Sequence, residues 1–168
     1  LLLSDPDVLS RPVNYLSLSV RTLDGKSHSV ALYTDITAEW CVNTPDQEVS
    51  PSRMRIGGTE VMCIGTTEQR ILGRDGDDVR IDWGFVCLAL PDAAPGGTAV
   101  GGTEVRRSFI RSGRLPERDD MRFPRAVQDD LPLLACADAG QIRRALENSR
   151  CVCVGEQAPG GKLTASRV

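Results

Sequence analysis

The sequence is poor in several residue types on which protein chemistry commonly depends. Only 4% of its 168 residues are aromatic, and it contains a single histidine. None of its six cysteines is spaced as CxxC, so the usual signatures of a zinc ribbon or a thioredoxin-type site are missing. No apolar run approaches the roughly 18 residues that a membrane-spanning helix requires, and we therefore expect no membrane contact.

Charge of one sign is not concentrated anywhere in the chain. The 20 basic and 23 acidic residues are interleaved and give a net charge of −3. Nucleic-acid binding depends on clustered Lys and Arg side chains that displace counterions from phosphates. We therefore expect no nucleic-acid partner.

Candidate catalytic, cofactor and metal sites are equally sparse. His28 follows a turn and is expected to be solvated, with no nucleophile or orienting partner at a suggestive spacing. The glycine-rich stretch 96–102 lacks the Lys-Ser or Lys-Thr that would follow it in a phosphate-binding loop, and is interpreted as a flexible connection. Asp75, Asp77 and Asp78 alternate like calcium ligands, but turn chemistry explains them better. We expect no catalytic residue, no cofactor and no metal in this chain.

The cysteines lie mostly in apolar runs that resemble strands. A free cysteine in such a run behaves as a small hydrophobic residue, so we predict buried free thiols, although the even count permits disulfides. Cys151 and Cys153 would fall on one face of a strand, which could serve a metal, but two further ligands cannot be identified.

Alternation of apolar and polar residues is the main structural signal. In the stretch 79–90, alternate residues share an apolar face, and from Gly84 onward the opposite face becomes apolar as well. This pattern predicts one long strand that begins at a solvent-exposed rim and continues into a part of the sheet where both faces are covered. The predicted core face carries Val79, Ile81, Trp83, Phe85, Cys87 and Ala89, and the rim carries Arg80 and Asp82, which can form an exposed ion pair.

A hairpin is predicted near the beginning of the chain. Asp24-Gly25 separates two alternating segments, and a three-residue loop formed by Leu23, Asp24 and Gly25 sets Leu18 opposite Val30. The same loop places Gly25 at a left-handed position, where the missing Cβ removes the steric penalty.

The remaining segments complete an all-β pattern. Short strands between turn signals predict an antiparallel β-sandwich, supersandwich-like, with at most one or two short helices. We expect it to form a single domain over residues 1–168. The repeated GGTEV at 57–61 and 101–105 is interpreted as two turns that each lead into a strand. Further strands are predicted at 52–56, 59–66, 68–73, 103–112, 130–139 and 150–156, a loop at 91–103 and a short helix at 138–149.

The richest polar stretch, 112–132, has three interpretations: a solvated loop, a docking surface or a contribution to catalysis. Long loops without regular elements are often functional, and the mixture of Arg with Met121 and Phe123 is typical of an interface. The candidate interdomain docking residues are Arg114, Arg118, Asp120, Arg122, Phe123, Arg125 and Asp129.

Three ordered blocks of the sequence carry a family resemblance. They are LSRPVNYLSLSVRTLDGKSHSVALYTDITAEW, LGRDGDDVRIDWGFVCLA and SGRLPERDDMRFPRAVQDDLPLLA. Together these blocks resemble the N-terminal domain of the glutaminase A family, from about Ser10 to Ala137.

The resemblance implies a multi-domain hydrolase of which this chain is an N-terminal fragment. A β-sandwich would precede a larger helical catalytic domain, built as a toroid of paired helices, in which glutamine is hydrolysed to glutamate and ammonia. The sandwich would be a non-catalytic support, its partner would be the downstream helical domain, and a secreted or periplasmic location would be expected.

A carbohydrate-binding or accessory module of a glycosidase-like enzyme is the alternative. Sugar sites commonly display exposed aromatic side chains, and the low aromatic content counts against one here. Because Trp83 is predicted to be buried, Trp40 is the only plausible stacking platform.

Overall fold

The computed structural model, which describes residues 5–6, 13–91, 97–142 and 149–157, contains nine strands in two antiparallel sheets. The larger sheet has the order β1-β9-β5-β4-β3-β7 and the smaller one the order β2-β8-β6. This confirms the predicted all-β sandwich. The strands are β1 Val13–Ser19, β2 His28–Thr37, β3 Glu48–Ile56, β4 Thr59–Thr66, β5 Phe85–Pro91, β6 Thr98–Gly101, β7 Arg125–Ala126, β8 Leu133–Ile142 and β9 Ser149–Gln157; a 3₁₀ turn spans Ala38–Cys41 and a helix, α1, spans Thr103–Ser112.

The main core lies between the two sheets. Leu88 of β5 and Met62 of β4 are fully buried there against Leu134 of β8 and Val100 of β6. A second cluster, around Cys87, lies on the opposite face of the larger sheet. The prediction that this strand is covered on both sides is therefore confirmed.

The inner and outer faces of β5 are reversed relative to the prediction. Val86, Leu88 and Leu90 face the core between the sheets, whereas Cys87 and Ala89 belong to the cluster on the other face. Both faces are apolar from Val86 onward, so the alternation could not show which one meets the second sheet.

The long strand predicted over 79–90 begins only at Phe85. Gly84 has φ of +95°, which interrupts the extended backbone immediately before β5. Val79 and Ile81 are consequently exposed and Trp83 is only half-buried, so their placement in the core was wrong. The expected pair of Arg80 with Asp82 is also wrong, because the Asp82 carboxylate is buried and accepts a hydrogen bond from Arg74 Nε at 2.7 Å.

The first two strands form, but they do not pair with each other. β1 pairs with β9 and β2 pairs with β8, so the two strands belong to different sheets. The hairpin prediction was wrong because local apolar matching cannot exclude partners more than a hundred residues away, such as Leu16 and Val152. Gly25 does adopt the predicted left-handed conformation, with φ of +70°.

The segment 103–112 is helical, which corrects the predicted strand. Val105 and Phe109 are four residues apart and therefore lie on one face of α1, where Val105 packs on the outer face of the smaller sheet. The Phe109 ring lies 4.9 Å from that of Tyr33. Gly113 ends the helix with φ of +68° and donates its N–H to the Phe109 carbonyl. The second GGTEV therefore leads into a helix.

Other segment predictions are corrected at their boundaries. Residues 98–101 form β6, not a loop, and 68–73 form a turn-containing connection, not a strand. The predicted helix at 138–149 was wrong as far as Ile142, because β8 continues to that residue; residues 143–148 lie outside the described part of the chain. The strand prediction at 59–66 is confirmed, and those at 130–139 and 150–156 are confirmed with small shifts.

The four cysteines whose side chains the structure describes divide into two chemical states; the side chains of Cys151 and Cys153 lie outside the described part of the chain. Cys41 and Cys136 are buried free thiols, as predicted, and burial raises the pKa of each to about 12. Cys63 and Cys87 instead form a disulfide, because the register of β4 and β5 sets them directly opposite with their Cα atoms 4.1 Å apart. That register was not available from the sequence.

Candidate functional site

The segment 112–132, termed the bridging segment, runs along the open edges of both sheets. Asp120 donates its N–H to the Val100 carbonyl at 2.9 Å, which ties the segment to edge strand β6 of the smaller sheet. A few residues later β7 pairs with the beginning of β3, at the edge of the larger sheet. The bridging segment therefore crosses from the edge of the smaller sheet to the edge of the larger one.

Asp119 is the first of three acidic residues that fix this crossing. Its carboxylate accepts two hydrogen bonds from Arg53 of β3, from Nε and Nη2, each at 2.7 Å, and one from the buried Val100 N–H at 2.8 Å. Burial would raise the pKa of Asp119, but the bonds from Arg53 and Val100 outweigh it and lower the pKa below its ordinary value. One carboxylate thus links β3, β6 and the bridging segment.

Asp120 binds two arginines of its own segment. Arg122 donates to it from Nη2 at 2.7 Å, and the buried Arg125 donates from Nη1 at 2.6 Å. The bonds from Arg122 are the main cause of a pKa held far below the ordinary Asp value. The Arg125 guanidinium also lies 4.5 Å from the centre of the Phe123 ring, a cation–π arrangement.

Asp130 connects the end of the bridging segment to the beginning of α1. Its Oδ1 accepts hydrogen bonds from the Thr103 hydroxyl and, at 3.2 Å, from the Thr103 N–H. The Thr103 hydroxyl bond is the main cause of a lowered Asp130 pKa. The contact requires glycine at Gly102, because a Cβ there would lie 2.3 Å from the Asp130 carbonyl oxygen.

The seven candidate docking residues therefore fall into two groups. Asp120, Phe123 and Arg125 make the internal contacts described above. The others present exposed side chains, and the Arg122 side chain is 71% exposed although it also binds Asp120. Docking by this segment stays a prediction, and the exposed group is the part of it that can meet another surface: Arg114, Arg118, Arg122 and Asp129.

An open cleft of about 320 Å³ lies beside the bridging segment. Ser50, Ser52 and Arg53 of β3 form one side, and Met121 and Phe123 contribute to the other. The walls combine hydroxyl groups, an ion-paired guanidinium and apolar surface. Sequence reasoning missed the β3 wall, because nothing in the sequence places 50–53 beside 119–123.

A second polar network, also missed from the sequence, holds the connection between β4 and β5. The buried Asp82 accepts hydrogen bonds from Gln47 Nε2 at 2.8 Å and from Arg74 Nε at 2.7 Å. Burial would raise the pKa of Asp82, but these two donors lower it overall. Asn43 Oδ1 accepts the Arg80 N–H at 2.9 Å, which fastens the connection to the turn that follows the 3₁₀ helix.

A separate ion pair fastens α1 to the smaller sheet. Arg106 donates to Asp35 of β2 through Nε at 2.6 Å and Nη2 at 2.7 Å. Burial would raise the pKa of Asp35, but the two hydrogen bonds and the positive charge of Arg106 outweigh it and lower the pKa. The pKa of Tyr33 is raised above its ordinary value, mainly by burial and secondly by the nearby Asp35 carboxylate.

The lone histidine and possible metal and membrane sites complete the survey of potential functional features. His28 is exposed, as predicted, but its Nε2 lies 2.9 Å from Asp24 Oδ1, a partner that the spacing did not indicate. Among the described residues, no group of three or more His, Cys, Asp or Glu side chains is arranged to hold a metal ion. No helix in the described part of the chain is long and apolar enough to cross a membrane.

Comparison with known proteins places this architecture in a family. A family model described as "Domain of unknown function (DUF5127)" matches residues 1–157, a range that includes all nine strands of the described residues and both polar networks. The chain belongs to the DUF5127 family. This DUF5127 domain is also similar to Glutaminase A of Aspergillus oryzae (strain ATCC 42149 / RIB 40), with 27% identity over 154 residues. The match covers 82% of this chain and 20% of that relative, so the chain spans about a fifth of the relative's length.

Proposed function

We propose that this DUF5127 domain is a non-catalytic β-sandwich unit of a glutaminase-type amidohydrolase, in which it packs on and supports a separate helical catalytic domain. The observation that carries the proposal is the proportion of the match: most of the sandwich corresponds to only a fifth of Glutaminase A. In that relative, the matched unit is therefore one part of a much longer polypeptide.

The electrostatics of the acidic residues agree with a supporting role. A general acid or base works best with a pKa near the operating pH. In this domain the pKa values of Asp35, Asp82, Asp119, Asp120 and Asp130 are all lowered by hydrogen-bond donors. These carboxylates stay ionised near neutral pH and act as fixed anionic cross-links between elements.

The reaction assay compares the 168-residue chain with the polypeptide encoded by its complete reading frame. Both are incubated with glutamine, and ammonia release is measured. We expect release from the complete polypeptide and none above buffer from the 168-residue chain. Release by the short chain alone, or none from the complete polypeptide, would contradict the proposal.

Charge reversal tests docking through the exposed arginines of the bridging segment. Arg114→Glu and Arg118→Glu in the complete polypeptide are expected to lower the temperature at which the two domains separate, because each exposed side chain would oppose a contact across the interface once its charge is reversed. Arg21→Glu is the matched control, since Arg21 is exposed and lies in the connection between β1 and β2. An equal effect of all three substitutions would argue against docking by this segment.

A carbohydrate-binding module is a second candidate function, favoured by one observation. Trp40 is 74% exposed in the 3₁₀ turn, which leaves its indole ring able to stack on a sugar face. Tryptophan fluorescence titrated with a panel of oligosaccharides tests this candidate. A saturable change that disappears in Trp40→Ala would support sugar binding, and unchanged emission across the panel would remove it.

A further inference from the structure

Large apolar side chains are concentrated on the connection between β4 and β5 and on the neighbouring 3₁₀ turn. Monomeric proteins rarely expose contiguous apolar patches larger than a few hundred Å², and larger ones mark interaction sites. We name this region the apolar end surface. It consists of Trp40 (74% exposed), Ile71 (58%), Leu72 (81%), Val79 (41%) and Ile81 (56%).

Hydrogen bonds bring these residues to the same end of the sandwich. The 3₁₀ turn that carries Trp40 packs against β4 and β5, the two strands that the 67–84 connection joins. Asn43, three residues after Trp40, accepts the N–H of Arg80, the neighbour of Ile81. Trp40 and the 67–84 connection therefore belong to one surface.

The surface is held in place before any partner arrives. The Thr66 hydroxyl donates to the Asp82 carbonyl at 2.6 Å, and Gln69 Oε1 accepts the Gly84 N–H at 2.6 Å. With the Asp82 side-chain network, these bonds fix both ends of the 67–84 connection. A surface that is already ordered loses little conformational entropy on binding, which favours affinity.

The position of β9 indicates what covers this surface. Gln157, the last residue of β9, pairs with Phe85, the first residue after the 67–84 connection. A domain joined after β9 is thus tethered beside the apolar end surface, at a high effective concentration.

The bridging segment is continuous with the same end. Val127 donates its N–H to the Gln47 carbonyl at 3.2 Å, and Gln128 donates to the Pro45 carbonyl at 2.8 Å. The 43–47 turn therefore lies between the bridging segment and the 67–84 connection. One partner can contact both.

We propose that the apolar end surface is the principal contact of this domain with a following domain of the same polypeptide, an inference that rests on the proposed function. The partner presents an apolar face to Trp40 and Leu72. Where the partner faces the exposed Asp75, Asp77 and Asp78 of the same connection, its surface is basic.

Hydroxyl-radical footprinting with mass spectrometry measures this contact residue by residue. The 168-residue chain and the complete polypeptide are oxidised under the same conditions. We expect Trp40 and Leu72 to be protected about tenfold or more in the complete polypeptide, because hot spots at the centre of an interface lose their solvent contact. Leu23 is the internal standard: it is 87% exposed and lies in the connection between β1 and β2, at the opposite end of the sandwich.

A matched pair of variants shows that the protection comes from docking. Leu72→Asp in the complete polypeptide is expected to restore the reactivity of Trp40, whereas Leu23→Asp is expected to leave it protected. Both residues are highly exposed, so neither change disturbs the sandwich core. Full reactivity of Trp40 and Leu72 in the unmodified complete polypeptide would overturn the proposal, as would protection that depends on protein concentration, which indicates a second copy.

The footprint tests the docking surface and the ammonia assay tests the reaction, so each proposal can be contradicted without the other. If the complete polypeptide releases ammonia but Trp40 and Leu72 remain reactive, the docking surface is wrong and the proposed function stands. If they are protected but no ammonia is released, the surface is supported and the reaction class is wrong.

Discussion

Removal of the Asp119 carboxylate is the most informative single change in the sandwich. Asp119→Ala deletes both hydrogen bonds to Arg53 and leaves the Val100 N–H, in a residue only 3% exposed, without its acceptor. An unsatisfied buried donor costs about 1–3 kcal/mol, and a partly exposed ion pair contributes up to about 1 kcal/mol. We expect the free energy of unfolding to fall by about 1–4 kcal/mol.

Urea denaturation measures this loss directly. For a slope of about 2 kcal/mol per molar urea, the midpoint is expected to fall by about 0.5–2 M. Asp119→Asn is the matched control, because its amide oxygen can still accept the Val100 N–H while the charge is lost; its expected cost is about 1 kcal/mol. Asp129→Ala, at an exposed position of the same segment, is expected to change stability by less than about 0.5 kcal/mol.

The lowered pKa of Asp119 also predicts how the stability of the chain depends on pH. The pKa of Asp119 is lower in the folded chain than the value of about 3.9 in an unfolded chain. The contribution of the ionised Asp119 carboxylate to the free energy of unfolding is therefore fully present above about pH 4, and it is lost as the pH falls through the folded-state pKa. The stability difference between the unmodified chain and Asp119→Asn should shrink below pH 4. A midpoint for Asp119→Ala equal to that of the unmodified chain, or a difference from Asp119→Asn that grows on acidification, would refute the reasoning.

Two further predictions test the larger sheet. The Cys63→Ala, Cys87→Ala double variant should have a free energy of unfolding about 3.5 kcal/mol lower, because the disulfide closes a loop with a sequence separation of 24. Free thiols at both positions in the unreduced, unfolded chain would show that the disulfide is absent. Leu88→Ala should lower the free energy of unfolding by about 2–5 kcal/mol by leaving a cavity in the core, whereas Ile81→Ala should lower it by less than about 0.5 kcal/mol. Similar denaturation midpoints for the two variants would mean that the start of β5 has been assigned incorrectly.

The fold class could be predicted because alternation of side chains is a local property. The segments that became β4, β8 and β9 alternate strongly or are continuously apolar, and their strand character follows from that pattern alone. The turn at Gly25 was equally local, since glycine is favoured at a positive φ.

The errors have two physical causes. In α1, Val105 and Phe109 fit a helix face as well as an irregular strand, and packing on the smaller sheet decides between them. Strand pairing is non-local, so the partners of β1 and β2 depend on the whole fold.

The candidate site was predictable only in outline. Its composition identified the 112–132 segment, but the partners of its charged residues lie far away in the sequence: Arg53 and Asp119 are 66 residues apart. The apolar end surface was concealed for a related reason. Val79 and Ile81 continue the alternation of β5, and only the backbone at Gly84 turns them outward.

The structure of the complete polypeptide is the most direct measurement of the central claim, that this sandwich supports another domain through its apolar end. The account predicts that Trp40, Leu72 and Ile81 are buried against a second domain, while Leu23 remains in solvent. A structure in which the apolar end surface faces solvent, or in which the second domain packs on the β1–β2 connection, would contradict it.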